Sequence, residues 1–229
     1  MQKPDVKLIT EISEDYEPDL QEPEHPPQIT QIDARDGLLF DTRFTSERRI
    51  RSALYDRLVA ARQHLPDGVT FKIYEAYRPR ARQQKLWDGV FDRLRKEHPD
   101  LTPEAVAART RSWVADPNGV GSGHLFAAAV DVTLHDTATG VDLDMGCDIQ
   151  AFDTRTATWS AAITEAQRAN RLTLVTALAC EGVLNYPPEW WHFSYGDRIW
   201  AILQRRPATV FKPVPDATGL CQEGRTAKS

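Results

Sequence analysis

The chain has 229 residues, enough for one domain with a buried core. Its 41% hydrophobic and 27% charged content is that of an ordinary globular domain, and a formal net charge of −5 lacks the basic footprint that a nucleic-acid partner requires. No apolar run reaches the roughly 18 residues of a membrane span, so neither nucleic acid nor membrane is an expected partner.

Residues 1–30 hold eight acidic residues, two lysines and five prolines, and read as a loosely ordered acidic arm. No basic start followed by an apolar stretch marks a secretory signal. Cys147, Cys180 and Cys221 form no CxxC pair, so neither a disulfide framework nor a Cys-rich zinc site is indicated. A cytoplasmic setting is therefore expected.

A helix is expected from Thr45 or Ser46, with Ile50, Leu54 and Leu58 on one face. Pro66-Asp67-Gly68 makes a turn, and VTFKIYEAY (Val69–Tyr77) alternates as a strand that Arg78-Pro79 ends. Trp87, Val90, Phe91 and Leu94 recur at helical spacing, and Thr102-Pro103-Glu104 starts another helix. Asp116-Pro117-Asn118-Gly119 breaks it, and a glycine-rich loop leads to His124. AAAVDVTL is a second strand, with Val130, Val132 and Leu134 facing one way and Ala129, Asp131 and Thr133 the other. Residues 135–159 read as a long polar loop, 160–181 as a helix stopped by Gly182, EWWHFSY as a strand, and 206–229 as a tail. Strands interspersed with helices, without regular βαβ alternation, point to α+β.

A catalytic zinc takes about three His or carboxylate ligands and keeps a position for water, which a separate carboxylate can deprotonate. Asp131 lies in an apolar strand, and a buried carboxylate needs a metal or a cation; a buried arginine would serve equally well. Glu189 and His192, three apart, face opposite sides of a regular strand. They could share a metal only if the chain kinks, which Pro187-Pro188 allows; otherwise they belong to a Trp-rich core strand with an incidental glutamate. Arg78 ends its strand where site residues commonly project, either as a surface ion pair or as a fixed cation for charge growing on a substrate.

In order, Tyr77-Arg78-Pro79, Ser122-x-His124-x6-Asp131, Met145-Gly146 and Glu189-Trp-Trp-His192 resemble the motifs of the zinc-dependent D-alanyl-D-alanine dipeptidases. These share a fold with the D,D-carboxypeptidases and the Hedgehog signalling domain. The resemblance covers about residues 30–205. It implies a Hedgehog/D,D-peptidase-like fold, with a central, mostly antiparallel sheet and flanking helices, over a catalytic domain at 31–205. It also implies one zinc per chain held by His124, Asp131 and His192, with Glu189 as general base on the bound water and Arg78 as stabiliser of the oxyanion. Ser122, Gln150, Tyr77 and Trp191 are then expected at the substrate. The implied reaction is hydrolysis of D-alanyl-D-alanine to two D-alanines; a peptidoglycan carboxypeptidase or endopeptidase and a non-catalytic zinc module are the alternatives. Three positions depart from the pattern, the first being Ala76, which replaces the glycine before Tyr77. Ala127 replaces a glycine, although alanine resists φ > 0. Neutral Gln150 stands where the family holds a substrate ammonium with an aspartate, and Asp148 or Asp153 could take over that task. His98, His135, Cys147, Cys180 and Trp190 read as structural.

Overall fold

Two alternating apolar runs organise the molecule. In the computed structural model, which describes residues 17–26, 28–151 and 153–215, they form the two central strands of a mixed sheet. The chain opens with β1 (Ile29–Gln31), β2 (Leu39–Phe40) and β3 (Arg49–Arg51), followed by α1 (Ser52–Ala61) and β4 (Val69–Glu75). α2 (Arg80–Glu97) and α3 (Pro103–Arg111) form a helical pair, then come β5 (Ala129–Asp136) and β6 (Val141–Asp142). α4 (Glu165–Ala179), β7 (Leu184–Asn185), β8 (His192–Ser194) and α5 (Arg198–Leu203) complete the described order.

The main sheet runs β2-β4-β5-β8-β7, with β6 paired to the end of β5. Only the β2–β4 pairing is parallel, so the sheet is mostly antiparallel, as expected. β5 is buried along its first six residues because it has neighbours on both edges and layers on both faces. Val130, Val132 and Leu134 join Phe71 and Ile73 of β4, Leu54 and Leu58 of α1, and Leu174 and Leu178 of α4 in the main core. α2 and α3 pack on each other through a smaller cluster of Val90, Leu94 and Val106.

Caps follow the sequence closely. Thr102 caps α3 with proline at the helix start, and Thr164 and Gln167 form a reciprocal capping box on α4. Three boundaries differ from expectation. Residues 49–51 are a strand, not helix, because β1 holds them extended with Thr30 opposite Ile50. The loop expected from 135 begins later, since β5 runs to Asp136 and turns into β6. Glu189–Trp191 form a turn before β8: Glu189 N donates to Tyr186 O and His192 N to Glu189 O.

Both expected appendages are partly built in. Asp19 bridges Ala208, Thr209 N donates to Asp19 O, and Phe211 is fully buried against Leu125, Phe126 and Ala128. Residues 1–16 and 27 of the acidic arm, and Cys221 in the C-terminal segment, lie outside the described residues.

Candidate metal centre

Three neighbouring strands put one row of side chains on one face. Glu75 of β4 stands opposite Asp131 of β5, and Asp131 stands opposite His192 of β8. Directly paired residues project to the same side of a sheet, so 117 residues of chain close into a single carboxylate–carboxylate–imidazole row (from 75 to 192). His124 joins from the turn before β5. Ser122 Oγ accepts from His124 N at 3.1 Å and caps one 3-10 turn, Gly123–Phe126. Ala127 ends that turn at φ 54° and ψ 26°. The left-handed conformation costs a residue with a Cβ about 1–2 kcal/mol, yet this alanine adopts it. Gly123 is required for a different reason: a Cβ there would lie 1.9 Å from Asp197 Oδ2.

His124 Nε2 lies 3.2 Å, and His192 Nδ1 3.1 Å, from Asp131 Oδ1. One donor atom from each of these three buried residues lies within 4.8 Å of the others. Ligands bonded about 2.0–2.1 Å from a tetrahedral ion stand roughly 3.3 Å apart; the two nitrogen–oxygen distances match this, and the 4.8 Å separation must close by roughly 1.5 Å when an ion binds. The proton inventory fits as well. His124 Nδ1 is 2.7 Å from Ala76 O, and a carbonyl can only accept. Nδ1 therefore carries a proton, which leaves Nε2 as the atom of that ring able to bind a cation beside the Asp131 carboxylate. Burial opposes the Asp131 charge, but the imidazoles of His124 and His192 outweigh it and hold the carboxyl well below the usual carboxylate range. Burial also opposes a charge on His192, which Asp131 more than offsets.

Arg78 is fixed from two elements. Its Nη2 donates to Glu75 Oε2 at 2.6 Å and stands 3.8 Å from Asp131 Oδ2, and its Nη1 donates to Gln83 Oε1 at 2.9 Å. Glu75 is fully buried and also accepts from Arg82 Nε at 2.7 Å and Gln150 Nε2 at 3.0 Å. Burial disfavours its charge, but Arg78 prevails and brings the carboxyl down to about 2. Glu75 was missed from sequence: strict alternation puts it on the core face with Phe71 and Ile73, and the irregularity between Ile73 and Glu75 turns it to the face of Asp131 instead.

A cavity of about 1140 Å³ borders His124, Asp131 and His192. Glu189, Arg78, Ser122, Gln150 and Trp191 line it too. Burial pushes the Glu189 carboxyl up to about 7, with Asp131 adding to the shift and His192 and Arg78 opposing it. Gln150 sits in left-handed backbone at φ 59°, and its Nε2 donates to Glu75 and, at 3.1 Å, to Asp131. Tyr77, expected at the substrate, has its ring 4.5 Å from the Arg49 guanidinium and is not among the residues that border this cavity. Asp148 and Asp153 are paired with Arg43 and Arg155, at 2.9 and 2.5 Å, and do not border it either. Burial raises the Cys147 thiol, which disfavours a nucleophilic thiolate.

Residues 47–212 match the model of the peptidase M15 family, described as D-ala-D-ala dipeptidase. A D-alanyl-D-alanine dipeptidase of Escherichia coli K12 is 32% identical over 127 residues, 56% of this chain and 55% of that protein. One from Synechocystis is 31% identical over 178 residues, 66% of this chain and 71% of its own length. A third, from Enterococcus faecalis, is 27% identical over 133 residues, 57% and 64% of the two chains. The matched region thus spans just over half of the first of these relatives. Among solved structures, VanYB in complex with D-alanine-D-alanine aligns at TM-score 0.44 and 19% identity, over 80% of this chain and 85% of that one. A mutant of the vancomycin-resistance D,D-pentapeptidase VanY in complex with Zn(II) aligns at TM-score 0.39 and 20% identity, over 87% and 91%.

Proposed function

This chain belongs to the D-ala-D-ala dipeptidase family of peptidases, and from that premise we propose that it is a zinc-dependent hydrolase of the amide bond between two D-alanine residues. The relatives are named for D-alanyl-D-alanine, and the proposed reaction on that dipeptide yields two D-alanines. One observation supports the metal: His124 Nε2, whose ring is oriented by the Nδ1 contact to Ala76 O, and His192 Nδ1 face one Asp131 oxygen at 3.2 and 3.1 Å. Bound there, zinc supplies Lewis acidity and makes water acidic enough to be deprotonated near neutral pH.

The proposed roles of the protein's own groups follow from their positions. Glu189, on the cavity wall with a carboxyl brought to about 7, is suited to take a proton from water and return it to the leaving amine. Arg78, held by Glu75 and Gln83, presents a fixed guanidinium to negative charge growing on the scissile carbonyl oxygen. Ser122 holds the turn that aims His124, and Trp191 walls the cavity. A peptidoglycan fragment ending in D-Ala-D-Ala is the second candidate substrate. It is favoured by the cavity, whose 1140 Å³ exceeds the range of about 300–1,000 Å³ common for small-molecule sites.

The test is D-alanine release by the zinc-loaded protein from D-Ala-D-Ala and from N-acetyl-D-Ala-D-Ala. Release by the wild type and at least a hundredfold slower release by Glu189→Gln is the expected result. No release from either substrate, or equal release by the variant, refutes the proposal.

A further inference from the structure

The turn that carries His124 is gripped from outside the site. Ala127 is the joint between two ligand-bearing pieces: the turn Gly123–Phe126 with His124 lies before it, and β5 with Asp131 follows. Its φ of 54° and ψ of 26° therefore set the angle between His124 and Asp131. Those two dihedrals describe the rotation between two rigid peptide planes, one holding the Phe126 carbonyl and the other the Ala127 carbonyl.

Arg51 binds both planes. Its Nε donates to Phe126 O at 3.2 Å, and its backbone N donates to Ala127 O at 2.8 Å. Relaxation of Ala127 to negative φ, which suits a residue with a Cβ, would swing one plane off its donor. Phe126 and Ala127 are fully buried, so water would not replace the lost bond. Arg51 is itself immobilised at 5% exposure. Its Nη2 donates to Lys212 O at 3.2 Å and stands 2.5 Å from Glu22 Oε1, and its guanidinium carbon lies 5.0 Å from the centre of the fully buried Phe211 ring. Val214 N adds another outside donor to the turn, 2.8 Å from Leu125 O. Segments from both ends of the described chain thus converge on one side chain, and that side chain fixes one pair of dihedrals.

Resting on the metal reading above, we infer that Arg51 is a positioning residue for the metal centre. It holds Ala127 in the left-handed conformation and so keeps His124 Nε2 and the Asp131 carboxylate at the spacing a cation needs, while Glu22, Phe211 and the Lys212 carbonyl fix Arg51 in turn. None of these four residues borders the cavity, so the effect reaches the ion through the backbone of Ala127. A glycine at 127 would adopt the same dihedrals freely and would not need the grip.

The experiment measures the zinc dissociation constant of the full chain by competition with a chromophoric chelator, together with the Tm of the metal-free protein. Wild type, Arg51→Met, Ala127→Gly and the double variant are compared. Arg51→Met is expected to raise the constant at least about tenfold, as loss of a group that orients a ligand does. Ala127→Gly alone is expected to stay within about threefold of wild type, and the double variant within about threefold of Ala127→Gly. An unchanged constant in Arg51→Met, whatever its Tm, overturns the inference, and so does an equal loss in the two backgrounds. Should Arg51→Met fail to fold, Glu22→Ala, which removes one anchor of the guanidinium, is expected to weaken zinc binding severalfold in the Ala127 background only; no weakening there overturns the inference as well. A wild type that binds no zinc refutes the metal reading itself, and this inference with it.

Discussion

Glu75→Gln probes the electrostatic frame of the site most directly. The carboxyl sits at about 2 in the folded chain against 4.5 for an ordinary glutamate. At about 1.4 kcal/mol per pH unit, that gap corresponds to roughly 3 kcal/mol of stability. The sign follows from the depressed value. The stabilisation is complete above pH 4.5, where the unfolded chain is also ionised, and is lost as pH falls through 2. Removing the charge also leaves Arg78 buried with one fewer anion, which acts in the same direction. Urea denaturation of the metal-free protein should therefore show Glu75→Gln less stable by about 3 kcal/mol at pH 7, with the gap closing to about 1–2 kcal/mol at pH 3. In the zinc-loaded enzyme, the loosened guanidinium should lower kcat at least tenfold. A difference below about 1 kcal/mol at pH 7, or one that is the same at both pH values, refutes this account of Glu75.

Three further outcomes follow. Arg171 is fully buried and donates to the carbonyls of Met145, Arg155, Ala157 and Thr158, which pins to α4 the loop that carries Gln150. Arg171→Met should lose about 3–5 kcal/mol in urea melts, since it leaves those acceptors unpaired; a loss under about 1 kcal/mol contradicts it. Glu189 is raised to about 7, so its neutral form stabilises the metal-free fold below pH 4.5, and that stability is lost as pH rises through 7. Metal-free Glu189→Gln should then be more stable than wild type at pH 8, by about 1–3 kcal/mol, and the two should converge near pH 4.5; parallel pH profiles would rule this out. His124→Ala should retain little zinc after dialysis and lose the rise in Tm that zinc gives the wild type; equal zinc content and equal Tm count against the centre.

Much of the fold was legible because its longest elements carry their own period. VTFKIYE alternates, and Thr102 caps its helix where expected, whereas α4 starts at Glu165, later than the expected 160, because Thr164 caps it. What sequence spacing could not give was convergence. Asp131 and His192 are 61 positions apart and meet because β5 and β8 pair in one register, a long-range choice that no local pattern encodes. The same limit explains residues 49–51, which have helical periodicity yet are held as a strand by β1. Tyr77 was placed by motif alone, and its ring went to Arg49 instead. Arg171 was within reach: it falls on the apolar face of α4 with Leu174 and Leu178, and a cation on such a face must find buried acceptors. The commitment of Gln150 to two carboxylates needed coordinates, because neither partner is near it in sequence.

Everything proposed for catalysis turns on a cation among His124, Asp131 and His192. Anomalous diffraction from crystals of the zinc-loaded protein, recorded on both sides of the zinc edge, locates that ion without reference to activity. The account predicts one strong peak about 2.0–2.2 Å from His124 Nε2, an Asp131 carboxylate oxygen and His192 Nδ1. A zinc peak at some other cluster, with these three side chains bonded only to one another, would contradict it.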